Sequence, residues 1–139
     1  MNKIILYSQE NGNLGICIPT GELSVEQTRD KDCPNGIIVD TSVFNTIDNE
    51  FYNAYELINN QPIINIEKAK EVWKDKIRNA RKSALEKLDV DFIKAQESET
   101  STTAIVANKQ TLRNLPSQVD TATTTDEIKA VWNDLLGDK

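Results

Sequence analysis

Lys74, Lys76, Arg78, Arg81, Lys82 and Lys87 form a basic run in a chain whose formal net charge is −6. Cations grouped in this way recognise anions, either the phosphates of a nucleic acid or the carboxylates of an acidic protein surface. The simplest alternative is the solvated flank of a helix. Other chemistry finds less to work with. The chain has no histidine, and Cys17 and Cys33 fit no zinc or CxxC spacing. Both read as reduced thiols, a buried one in "GICIPT" and an ordinary one in "KDCPNG". Asp89, Asp91, Glu97 and Glu99 are scattered by helical spacing and lack the glycine of a calcium loop. Ser101, Thr102 and Thr103 have no partner base, so turn and cap duty accounts for them. No catalytic, metal-binding or cofactor-binding residue is expected, and the chain does not read as an enzyme.

The distribution of charge says more than its sum. Residues 1–65 carry three basic and nine acidic side chains, residues 66–88 eight and four, and residues 89–139 five and nine. The positive charge therefore belongs to one segment, whereas domains devoted to binding phosphate backbones are basic as a whole. With 139 residues, 38% hydrophobic and 27% charged, the chain reads as a soluble, folded protein of single-domain size. No apolar run approaches the roughly 18 residues of a membrane span. The polar turn of "MNKIILYSQENGN" comes too early for a signal-peptide core. A cytoplasmic protein without a membrane partner is expected.

These residues must be positioned by two kinds of element. "KIILYS" and "LGICIP" are short branched runs separated by Asn11-Gly12, which predicts a hairpin with positive φ at both turn residues. "TGELSVEQTRDKDCPNG" predicts a short capped helix, and "GIIVD" a third strand. "FYNAYELINNQPIINI" carries Phe51, Tyr52, Tyr55 and Leu57, then an Asn59-Asn60 turn and another branched run, a second hairpin leading into a helix. From there the period changes. Ile66, Ala69, Trp73, Ile77, Ala80, Ala84, Leu88, Phe92 and Ala95 recur about every 3.6 residues, which predicts one helix from about Ile66 to Gln96 with Asn65 as its cap.

A helix of this length needs a covering partner. After the turn "SETSTT", a second helix places Ile105, Leu112 and Leu115 on one face before Pro116 stops it, giving an antiparallel helical hairpin. "TTDEIKAVWNDLLG" predicts a final helix with a Thr124/Glu127 capping box, a buried face of Ile128, Val131, Trp132 and Leu135, and Gly137 at its end. That helix should fold back on the stretch near Ile66 to Ala80. The fold class expected is α+β: a β-rich region over residues 1–64, then a long helical hairpin and a short docking helix over 65–139.

The basic residues lie between stripe positions and are interleaved with Glu67, Glu71, Asp75 and Glu86, so an ion-paired flank is the leading reading of the run. An acidic protein partner comes next, with Lys74, Arg78, Arg81 and Lys82 as contacts. Nucleic acid comes last, because no aromatics alternate with the bases as a stacking platform would require. Trp73 and Trp132 sit on apolar stripes, where core packing outweighs a role as interface anchors.

Taken together, "VWKDKIRNARKSALEKLDVDFIKAQE", "KQTLRNLP" and "TTTDEIKAVW" resemble the C-terminal pattern of small bacteriophage proteins from tail and tail-fibre gene regions, some described as tail-assembly chaperone-like. The resemblance covers roughly residues 66–133, and "GIIVDTSVF" and "FYNAYEL" extend it weakly. It departs in the threonine-rich "ESETSTTAIVANK" and in the ending "NDLLGDK". It implies a non-enzymatic structural or assembly role, with tail or tail-fibre proteins as partners, in the virion or in the host cytoplasm during assembly. A second copy of the chain is expected on a separate ground, the part of the long helix's stripe that the shorter second helix leaves uncovered. A nucleic-acid-associated phage protein using the basic flank is the alternative.

Overall fold

The computed structural model describes residues 2–139. Strand β1 (Lys3–Ser8) is buried at three consecutive positions, Ile4, Ile5 and Leu6. Successive side chains of a strand point to opposite faces, so both faces of β1 are covered. It is the middle strand of an antiparallel sheet ordered β2–β1–β3, with β2 at Leu14–Cys17 and β3 at Ile37–Asp40. Ile5 stands opposite Cys17 on one side and Ile38 on the other. Gly15 is opposite Tyr7, and a Cβ there would lie 2.4 Å from the tyrosine ring. Glycine is what lets that ring lie across β2.

The turn chemistry expected of the first hairpin is found in the second. At Asn11-Gly12 only Gly12 has positive φ, +85°. The connection is a five-residue loop closed by Gln9 N–H donating to Asn13 O, 2.8 Å. Asn11 Oδ1 accepts from Asn13 N, a local side-chain bond that holds a turn without the left-handed pair. That pair occurs instead at Asn59 and Asn60, φ +50° and +62°, which join β4 (Tyr55–Ile58) to β5 (Gln61–Ile64). The second hairpin is therefore present, but it starts only at Tyr55. The preceding residues form 3₁₀ turns at Thr41–Thr46 and Asn49–Ala54, capped by the carboxylates of Asp40 and Asp48. Phe51 and Ala54 are buried from the second turn. Helix α1 (Val25–Asp32) has a full capping box between Ser24 and Gln27, as its sequence suggests, and lies against β1 and β3.

Helix α2 spans Ile66–Glu97, 32 residues, or about 48 Å of helix. Asn65 Oδ1 accepts from the N–H of Glu67 and of Lys68, the expected cap. None of the nine stripe residues is exposed, and Ala69, Trp73, Ile77, Leu88 and Ala95 are buried. The chain divides into two compact units with the boundary at Ala69/Lys70. In the first, Lys68 Nζ meets Glu56 Oε2 at 2.6 Å and Asn13 Oδ1 at 2.7 Å.

In the second unit the chain reverses at Glu99, φ +56°, and α3 (Thr103–Asn114) runs back along α2. Lys109 Nζ is 2.6 Å from Asp89 Oδ1 and 4.8 Å from the centre of the Phe92 ring. Pro116 then opens a 3₁₀ turn, Pro116–Thr121. The final helix is shorter than its sequence suggests. Helix α4 covers only Thr125–Ala130, Val131 is extended, and a separate 3₁₀ turn follows at Asp134–Leu136. Of the expected buried face only Ile128 is buried; Val131 and Trp132 are half-buried and Leu135 is exposed. Two side-chain bonds explain the break. Trp73 Nε1 donates to Val131 O at 2.8 Å, and Asn133 Oδ1 accepts from Leu135 N, so a cap begins where the helix would have continued. Thr124 does cap α4, but the Glu127 carboxylate reaches the N–H of Thr123 rather than that of Thr124. Gly137, φ +82°, ends the 3₁₀ turn and not α4.

Candidate functional site

Lys74, Arg78 and Arg81 follow one another at spacings of four and three, which places them on one flank of α2 beside the buried stripe. The antiparallel return of the chain brings that flank against the end of α3 and the turn that follows. Together Lys74, Arg78, Arg81, Arg113, Pro116, Ser117 and Asp120 line a recess of about 230 Å³. Four cations and one carboxylate face it. The volume is below the roughly 300 Å³ at which drug-sized ligands begin to fit. It admits an ion or a single charged side chain with its water.

Each cation is held differently. Arg81 Nη1 donates to the carbonyls of Leu112 and Arg113, 3.3 and 3.1 Å. It thereby satisfies the last turn of α3, where a positive charge is favoured by the helix dipole. Ser117 Oγ donates to Asn114 O, 2.8 Å, and completes the same cap. Arg78 Nη1 pairs with Asp75 Oδ1 at 2.9 Å, and 46% of its side chain is exposed. Lys74 contacts Asp120 Oδ1 and lies 3.5 Å from Glu71 Oε1. Its stem is covered, with 15% of the side chain exposed, while the ammonium stays at the water boundary. Lys70 Nζ donates to the backbone carbonyl of Asp120, 3.1 Å. Arg113 is exposed at the rim.

The Lys74–Asp120 pair moves both titrations. The hydrogen bond from Lys74 holds the Asp120 carboxyl below the usual carboxylate range, and the same bond raises the Lys74 ammonium. A lowered carboxylate contributes stability at pH above its unfolded value and loses it as pH falls through the folded one; a raised ammonium loses its share only as pH rises past the ordinary lysine range. The contribution is therefore complete at neutral pH. Asp120→Asn is expected to melt below the wild-type protein at neutral pH, with the gap narrower at about pH 3, below the ordinary aspartate value, and closing only below the lowered folded value of Asp120. Paired melting curves at the two pH values check this, and a gap of equal size at both would contradict it.

No protein-family model, no curated protein and no solved structure matches the chain. The site therefore rests on its own geometry. Lys74, Arg78 and Arg81 come together as the basic run suggested, but Lys82 does not join them. It is exposed, and one residue of helix beyond Arg81 turns it about 100° away. Arg113, Ser117 and Asp120 complete the recess and were not among the residues singled out in the sequence. The signal that finds them is the hairpin register. As the position on α2 rises through Lys74, Arg81 and Asp89, its partner falls through Asp120, Arg113 and Lys109.

The tryptophans form a separate cluster. Trp73 is fully buried and Trp132 half-buried; their ring centres are 5.8 Å apart with planes inclined by 62°, an edge-on contact. Lys76 Nζ lies 4.7 Å from the centre of the Trp73 ring and 5.6 Å from that of Trp132. Both rings thus hold the end of the chain against α2. In the other unit the cysteines are free thiols, and the expected roles are reversed: Cys33 is buried and Cys17 half-buried. Burial foremost, then the neighbouring Cys17 sulfur, pushes the Cys33 thiol up to about 11. It is protonated at neutral pH and a poor nucleophile. Among the described residues, no helix is long and apolar enough to cross a membrane.

Proposed function

We propose that the chain is a non-enzymatic protein that works by docking onto other proteins, as a structural or assembly component of a bacteriophage tail or tail fibre. The observation that carries the docking reading is the recess, where α2, α3 and the following turn present hydrogen-bond donors and positive charge to one concave surface. Such a surface holds anionic groups in place. Val90, Ile93 and Val106, each about half exposed on α2 and α3, add apolar area for a protein contact, a second copy of the chain included. The tail assignment rests on the resemblance of "VWKDKIRNARKSALEKLDVDFIKAQE", "KQTLRNLP" and "TTTDEIKAVW", whose residues build α2, α3 and α4.

The nucleic-acid alternative is weaker on two grounds. Glu71, Asp75 and Asp120 already engage Lys74 and Arg78, and no aromatic side chain lines the recess as a stacking platform for bases. Mass spectrometry of purified virions and of tail intermediates, from the phage that encodes the chain, tests the assignment. Stoichiometric recovery in either fraction is expected. Absence from both overturns the tail reading, and recovery with the packaged genome in tailless particles would favour the alternative.

A further inference from the structure

We propose that the recess recognises a carboxylate on an acidic segment of a partner protein, and that Asp120 is the internal occupant which the incoming carboxylate displaces from Lys74. The inference rests on the protein-docking reading above and names the chemistry of the partner. Asp120 shows what the recess accepts: its carboxylate sits on Lys74 and its own pKa is lowered there. The contact is also easily exchanged. The Asp120 side chain is 57% exposed, and an ion pair in that much water is weakly held. Its backbone carbonyl is gripped independently by Lys70, so the side chain can leave while the turn stays in place.

The donors that would receive a carboxylate are identifiable. Arg81 is committed through Nη1 to the carbonyls that end α3, which makes it a positioning residue. Arg113 has no side-chain partner among the described residues, and Arg78 spends one nitrogen on Asp75, which leaves the rest of its planar fork for a two-point contact. Lys74, once released by Asp120, supplies the third charge. The volume of about 230 Å³ suits one carboxylate side chain with its water, and its lining offers no aromatic ring on which a base could stack. A short acidic peptide is the occupant that the cationic, non-aromatic lining favours.

The test is fluorescence anisotropy of a labelled hexaglutamate peptide with the full-length chain at low salt and at about 0.15 M, where a Debye length of about 8 Å mutes remote charges. Asp120→Asn is expected to tighten binding by roughly tenfold, the scale of one charge-assisted hydrogen bond. Asp126→Asn removes the same charge outside the recess and is expected to change little. In the Asp120→Asn background, Arg78→Ala and Arg113→Ala should each weaken binding by roughly threefold to tenfold. An equal gain from Asp126→Asn would mean bulk attraction without a site. Indifference to both arginines, tighter binding of a DNA duplex of equal charge, or no peptide binding by any variant would each overturn the carboxylate assignment. None of these outcomes bears on recovery of the chain from virions, so failure here and failure of the tail reading are told apart.

Discussion

Ile77→Asp is expected to unfold the helical unit or to lower its melting temperature by more than about 12 °C. Ile77 is completely buried, as are Trp73, Leu112, Val119 and Ile128 of the same unit. A carboxylate placed there loses its water, and an unpaired buried charge costs several kcal/mol. A cost of about 3 kcal/mol is a large share of the stability of a unit this small, and each kcal/mol shifts the midpoint by roughly 4 to 8 °C. One turn on, Arg81 is committed to the carbonyls that end α3 and is not free to neutralise the new charge. Ile77→Val, which removes one methylene and adds no charge, should cost only about 1 kcal/mol. Thermal melts of the two variants read the difference. A Val variant as damaging as the Asp variant would mean that shape, and not charge burial, governs the position.

That stripe was legible in the sequence because a single helix covers many turns, and its period accumulates beyond chance. Asn65 as cap, and a capped helix within "TGELSVEQTRDKDCPNG", were legible for a local reason: the capping side chains of Asn65 and Ser24 answer backbone groups two or three residues away. The segment from Thr41 to Ala54 was not, because two aspartate-capped 3₁₀ turns leave no period to detect. The end of α4 was not either, since the tryptophan that takes the Val131 carbonyl lies far away in sequence. The recess was half legible. Its α2 side follows from helical spacing, but Arg113 and Asp120 become neighbours of that flank only once the hairpin register is known. Lys82 lies outside the recess because neighbours in sequence on a helix do not share a face.

Trp73→Ala is expected to cost about 3 to 5 kcal/mol, the range for deleting a fully buried aromatic, and to release the end of the chain. Trp73 supplies buried volume, the bond from Nε1 to Val131 O, the edge-on contact with Trp132, and part of the aromatic surface beneath Lys76. Trp73→Phe keeps most of the ring and loses the hydrogen bond, so it should cost less, about 1 kcal/mol for the bond plus the smaller volume. Because the chain has two tryptophans, the Ala variant leaves Trp132 as the sole indole reporter. Its emission should move to longer wavelength, and the amides of Val131 to Gly137 should exchange faster than in wild type while those in the middle of α2 hold. Unchanged emission and exchange would show that the terminal segment is held by contacts other than Trp73. If the segment is released and hexaglutamate binding is unaffected, the carboxylate recess and the tryptophan clasp are independent structures on opposite duties: one receives a partner, and the other closes the end of the chain over α2.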